Sequence, residues 1–194
     1  MATEIINERL LYPSYEIIGG EKFQLPSITP AQNQIKGRIM YTIGKHLVEN
    51  KRGYFYGNVA VRFDDENIFI PDAVVVLKEN EHILAQRDMV RGAPDMIVEV
   101  LSYSTRKKDL TIKKDTYEAQ GIREYWIIDP QAKSVTVYLL RDGKYELDDV
   151  YILVDAEEFE TLDDEDKAAI KHEVPVSIVD GLTIPLDFVF SWGY

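Results

Sequence analysis

Apolar and polar positions along this chain repeat with two different periods, and the switches between them predict the elements. Ile35, Ile39, Ile43 and Leu47 recur four apart with Met40 and Val48 beside them, the pattern of an amphipathic helix. Pro30 suits the start of that helix, and Gly53 is its expected end. The stretches GYFYGNVAVRF and IFIPDAVVVL then read as strands joined by the turn DDEN. Pro71 predicts a strand start, an edge or a bulge, because proline cannot donate to a ladder. DMIVEVL reads as a third strand, and its near-continuous apolarity predicts a sheet covered on both faces. Upstream, SYEIIGG and KFQLP predict a hairpin turned at Gly19-Gly20, with Glu21 sharing the turn.

A second helix is expected after the third strand. Ser104 or Thr105 can cap it, Asp109, Lys113 and Tyr117 fall on one stripe, and Gly121 closes it. REYWIIDP and SVTVYLLRDGKYELDDVYILV continue as strands with a hairpin turn at Asp142-Gly143, and VPVSIVDGLTIPLDFVF supplies short closing strands. Strands, then a helix, then more strands argue for a mixed α/β domain.

Composition narrows the function classes. With 194 residues, 45% of them hydrophobic, the chain can bury a core and reads as one domain, 1–194. The absence of cysteine excludes disulfides, thiolate zinc sites and cysteine nucleophiles. MATEIINERLLYPSYEIIGG lacks a basic segment followed by an apolar core, and no apolar run approaches the roughly 20 residues that span a bilayer. The expectation is a soluble, cytoplasmic protein. The net charge of −12 argues at first against a polyanionic partner. Its distribution changes that picture, because Pro30 to Tyr145 holds 18 Lys and Arg against 16 Asp and Glu. The acidity belongs largely to a late segment at about 146–173. Its run DAEEFETLDDEDKAAIKHE reads as a solvated helix or loop, with a partner-binding or nucleic-acid-mimicking surface as the alternative.

One residue resists the apolar pattern. Glu99 stands in the middle of DMIVEVL, where an ionised group needs a cation or hydrogen bonds. Asp72 sits at the head of the preceding strand, and two carboxylates on neighbouring strands suit Mg²⁺, which typically takes one or two protein carboxylates and keeps several waters. Asp95 has the parity of Glu99 but stands four residues, about 13 Å, away, too far to share its metal. The following helix can lay Lys113 over the strand end that carries Glu99. There an ammonium would orient or help deprotonate a water, or stabilise charge on phosphate. The alternative is an ordinary i,i+4 pair with Asp109.

Pro71-Asp72, GAPDMIVEVLSYST, Asp109, Lys113, Tyr117, GIREYWIIDP and VTVYLLRDGKY, in this order, closely resemble the Uma-two family of "putative restriction endonucleases". The likeness runs from YEIIGGE to DGLTIPL. The resemblance implies an α/β, restriction-endonuclease-like fold of the PD-(D/E)XK superfamily: a central mixed β-sheet flanked by helices, with a divalent metal at the fork of two strands. Asp72 then looks like the metal-binding aspartate, Glu99 like the acid of the second motif, and the backbone carbonyl of Val100 like a further ligand. Leu101 stands where the superfamily usually has its lysine, which points to Lys113 as the displaced lysine. Relatives often carry a histidine where Gln32 stands, so a contribution from the first helix is not implied.

Ordinary structural roles cover the other candidates. Ser102, Thr105 and Asp109 suit caps and turns, and Tyr117, Tyr125 and Trp126 suit core packing as well as base stacking. Arg106-Lys107-Lys108 fits either a phosphate contact or a solvated loop. His46, His82 and His172 show no metal-ligand spacing, and no Gly-rich phosphate loop is present. Two expectations follow. The first is an Mg²⁺-dependent endonuclease, with Mn²⁺ as substitute, acting on DNA as a homodimer through Asp72, Glu99 and Lys113. The second is a catalytically silent interaction module of the same fold that uses its acidic segment.

Overall fold

Side-chain alternation along the strands sorts the core into layers on either side of a six-stranded sheet. The computed structural model describes residues 15–86 and 88–191. Up to residue 14, the stretch read above for a leader signal lies outside them. The chain opens with β1 (Tyr15–Ile18), β2 (Glu21–Gln24) and α1 (Pro30–Glu49). Strands β3 (Gly53–Gly57), β4 (Val61–Arg62), β5 (Ile68–Phe69) and β6 (Ala73–Leu77) follow, then β7 (Val90–Arg91) and β8 (Met96–Val100). A helical crossover made of α2 (Arg106–Lys108), a π-helical turn (Asp109–Lys113) and α3 (Lys114–Ala119) leads into β9 (Glu124–Asp129). After the hairpin β10 (Ser134–Arg141) and β11 (Lys144–Ile152) come α4 (Ala156–Thr161) and α5 (Asp164–Ala169). The strands β12 (Glu173–Pro175) and β13 (Thr183–Pro185) and helix α6 (Leu186–Phe190) end the described chain.

The main sheet has the order β11-β10-β9-β8-β6-β3. Its pairings are antiparallel except for β8 beside β9, and that parallel pair needs the crossover that α2 to α3 supplies. Met96, Val98 and Val100 of β8 face Ile35, Ile39 and Ile43 of α1, while Ile97 faces Tyr117, Ile122 and Tyr125. The uninterrupted apolar run of β8 is therefore covered on both sides, as its composition predicts. Each fully buried aliphatic side chain of α1 stabilises this packing by about 1.5–3 kcal/mol. A smaller sheet, β2-β1-β5-β4-β7, lies over the other half of the second face, where Val61 and Val90 pack on Val74 and Val76. Mixed sheets flanked by helices are the α/β architecture expected from the sequence.

Several expected boundaries move for identifiable reasons. GYFYGNVAVRF is two strands in different sheets, broken where Asn58 turns with φ 52°. IFIPDAVVVL divides likewise into β5 and β6 around Pro71, which has no N–H for a ladder. Helix α1 ends at Glu49, and Gly53 instead begins β3 opposite Leu77. A Cβ there would strike the backbone carbonyl oxygen of Val76. Glu21 belongs to β2, paired with Ile18, and not to the turn. Neither Ser104 nor Thr105 caps the crossover helix by a side-chain bond: Thr105 precedes it in helical conformation and its hydroxyl accepts from the Ser102 N–H. The acidic run folds into α4 and α5, each opened by an aspartate, Asp155 or Asp163, that accepts an N–H of the first turn. Both helices follow β11, the edge strand three places from β8.

Two glycines separate steric from conformational effects. Gly53→Ala should lower folding stability by roughly 1–3 kcal/mol because backbone, not a flexible side chain, is in the way. Gly37→Ala, within α1 with nothing within 4 Å of a new Cβ, should raise it by about 0.5–1 kcal/mol. Urea unfolding of the two variants gives opposite shifts if this packing is correct.

Candidate active site

Strand pairing brings two of the expected acids together. β6 and β8 pair Ala73 with Val98 and Val74 with Ile97. One step further, the same register sets Asp72 beside Glu99, at the point where Pro71 ends the ladder and the strands part. Asp72 repairs that fork itself, its Oδ2 accepting the Val100 N–H at 2.7 Å. Asp72, Glu99, Val100 and Lys113 line one cavity of about 260 Å³, together with Glu16, Gln32, and Asn58.

The crossover helix brings the lysine. Lys113 Nζ lies 3.1 Å from Glu99 Oε1, 3.0 Å from Glu16 Oε2 and 3.4 Å from Asp109 Oδ1. Tyr117 donates its phenolic proton to Glu99 Oε1 at 2.7 Å. Eight residues along a regular α-helix would rotate Tyr117 about 80° away from Asp109, since each step of four overshoots a turn by about 40°. The wider π turn at Asp109–Lys113 removes part of that drift and keeps all three side chains over β8. The Tyr125 hydroxyl donates to the Asp109 carbonyl at 3.0 Å, the kind of side-chain insertion into a helical ladder that distorts it. The pair of Lys113 with Asp109 that the spacing also allowed is present, but it is one of three.

The electrostatics of the cavity are unbalanced. Counted as ionised, Glu16, Asp72, Glu99 and Asp109 face only two buried ammoniums, Lys36 and Lys113. Burial pushes the Glu99 carboxyl up to about 8, against the pull of Lys113 and with help from Asp109 and Asp72. Burial likewise raises Asp109. Burial alone would lower Lys113, but the Glu99, Glu16 and Asp109 carboxylates outweigh it and hold the amine protonated. The Tyr117 phenol, raised well above its usual range by burial, stays a neutral donor. Glu16 Oε2 and Asp109 Oδ1 are buried with no well-aligned hydrogen bond, each met by the Lys113 ammonium, at 3.0 and 3.4 Å respectively. Surplus carboxylate fits a hard divalent cation, which would be held by Asp72 and Glu99 with waters completing its shell. Among the described residues, no group of three or more His, Cys, Asp or Glu side chains is arranged to hold a metal by itself.

Other residues singled out from the sequence have structural employment. Asp95 binds the Leu77 N–H and Arg123 at the opposite end of β8, away from the cavity. Gln32 closes a capping box with Thr29 and donates to the Leu101 carbonyl at 3.2 Å, tying α1 to the end of β8. The Ser102 and Thr105 hydroxyls bond each other at 2.9 Å on the cavity wall. Arg106 is paired with Asp129, and Tyr125 and Trp126 are fully buried, which leaves neither ring free to stack on a base. Two functional candidates escaped the sequence reading. Glu16 shares the inward parity of Ile18 on β1, and Lys36 lies among the inward positions Ile35 and Ile39 of α1. In both cases a lone charge at an inward position was the available signal.

An acid pair at a strand fork, a lysine from the crossover helix and a mixed sheet covered by helices define a restriction-endonuclease-like nuclease fold. The chain belongs to the Uma2 family, described as "putative restriction endonuclease", whose family model matches residues 8–174. It is similar to a crystal structure described as a "putative nuclease" from Anabaena variabilis, with a TM-score of 0.73 and 21% identity over 98% of this chain and 97% of that one. No curated protein matches the chain.

The proton on Glu99 has a measurable consequence. In the unfolded chain it leaves near 4.5, in the folded protein near 8, so between these values the native state binds more protons and stability falls as pH rises. Metal-free thermal melts across that window should show Tm declining for the wild type and declining less for Glu99→Gln. Parallel declines would place the titration elsewhere.

Proposed function

We propose that the protein is a cytoplasmic endonuclease that hydrolyses DNA phosphodiester bonds with a divalent metal, Mg²⁺ or in its place Mn²⁺. The observation that carries this reading is the excess of buried carboxylate at the β6–β8 fork, which stands beside a lysine kept charged. Asp72 and Glu99 are the metal ligands of this reading, and the Val100 carbonyl is the third. When bound, the metal would activate a water and offset charge on the scissile phosphate. The remaining work falls to the chain. Lys113, gripped by three carboxylates, is suited to hold positive charge toward the attacking water and the phosphate, and poorly suited to take a proton. Tyr117 fixes the Glu99 carboxylate through one oxygen and leaves the other free. Water oxygen bonds to phosphorus as the bond to the leaving sugar oxygen breaks; the water gives up a proton to solvent, and the leaving oxygen takes one from solvent to become a hydroxyl.

The charge distribution allows a polyanionic substrate, because the acidic helices α4 and α5 lie beyond β11 and not at the fork. Two copies related by a two-fold axis would present two such sites to the two strands of a duplex. No helix among the described residues is long and apolar enough to cross a membrane.

The test is cleavage of single-stranded, double-stranded and branched DNA with Mn²⁺ by the wild type, Glu99→Ala and Lys113→Ala. The expected result is cleavage by the wild type with a loss of at least about 100-fold in each variant. Equal cleavage by all three proteins would mean a different centre.

A further inference from the structure

Lys36 is the least expected charge in the protein. It projects from the inward face of α1, its side chain 4% exposed, where burying an ammonium is costly without partners. Its partners are Asp72 Oδ1 at 2.9 Å and Asn58 Oδ1 at 2.5 Å. Asn58 reaches it from a left-handed backbone conformation, φ 52°, that few residues other than glycine and asparagine adopt easily. The other Asp72 oxygen is taken by the Val100 N–H. Both oxygens of this carboxylate are therefore engaged before any metal arrives, one of them by a full positive charge.

We propose that Lys36 is a resident counter-ion of the active site, which limits the site to one divalent cation and keeps that cation weakly held. The inference rests on the metal-dependent reading above. Counted as ionised, the buried Glu16, Glu99 and Asp109 and the half-buried Asp72 leave a deficit of two charges against two buried ammoniums. One divalent ion closes it, and a second would leave an excess of two in a poorly solvated cavity. Lys108 approaches Glu16 at 3.7 Å from the solvent side and is 28% exposed, so its effect is largely screened. The competing possibility is that Lys36 only positions Asp72. The two roles have opposite signs: removing a competitor tightens metal binding, whereas removing a support lets Asp72 turn away and weakens it. In either role Lys36 acts through Asp72 and is not itself a catalytic residue.

The test is Mn²⁺ binding to the full chain, by calorimetry and by the electron paramagnetic resonance of free Mn²⁺, for the wild type, Lys36→Met and Lys36→Arg. Circular dichroism checks each fold, with Lys36→Gln replacing Lys36→Met if the latter does not fold. The expected result is one weakly held ion in the wild type and in Lys36→Arg. In Lys36→Met the ion should bind at least about tenfold more tightly or be joined by a second. Tighter binding by Lys36→Met supports the inference even where wild-type binding is too weak to measure. Wild-type binding with unchanged or weaker binding in Lys36→Met overturns it and leaves the metal reading standing, as does equal tightening by Lys36→Arg. No binding by either protein overturns both.

Discussion

Six ionisable side chains, five of them buried and Asp72 half-buried, gathered around one cavity are the constraint on which this structure turns. Glu16 comes from β1, Lys36 from α1, Asp72 from the head of β6, Glu99 from β8, and Asp109 and Lys113 from the π turn. No isolated member could stay ionised away from water at tolerable cost, so the elements that carry them must converge together. Replacing such a cluster by apolar residues of similar volume often leaves a protein equally or more stable, so stability does not account for it. The metal chemistry proposed at the fork would account for it.

The scaffold meets that cost by separating its faces. Even-numbered residues of β8 bury against α1, and odd-numbered ones turn toward the crossover helix, so the strand is apolar almost throughout and still offers one carboxylate. Pro71 both ends the β6–β8 ladder and frees the adjacent Asp72, whose side chain takes over the bond to the Val100 N–H. The same local defect that interrupts the sheet thus creates the fork. On the far side of that fork, the hydroxyl of Tyr125 holds the π turn open, and the turn brings Lys113 in line with both Asp109 and Tyr117.

Much of this was readable from the sequence because burial of charge is rare. Glu99 in an apolar run, Asp72 after proline and Lys113 on a stripe with Asp109 and Tyr117 were visible, and so were both long apolar layers. The breaks at Asn58 and Pro71 were not, because strands of two residues, such as β4 and β5, are too short to show a period. The π turn was hidden for a related reason: spacing of four suits both helix types, and only Tyr125, twelve or more residues on, tells them apart. Glu16 and Lys36 were not singled out because the partners that justify their burial lie on other elements, 97 residues away for Glu16–Lys113 and 36 for Lys36–Asp72 in the numbering of the chain. Local pattern reports that a residue faces inward; what it meets there is set by topology.

Diffraction from crystals soaked in Mn²⁺, recorded at the manganese absorption edge, addresses the central claim most directly. The account predicts one anomalous peak at the fork, bonded to Asp72 and Glu99 at about 2.1 Å. A peak bonded elsewhere, or none at saturating Mn²⁺, would contradict it.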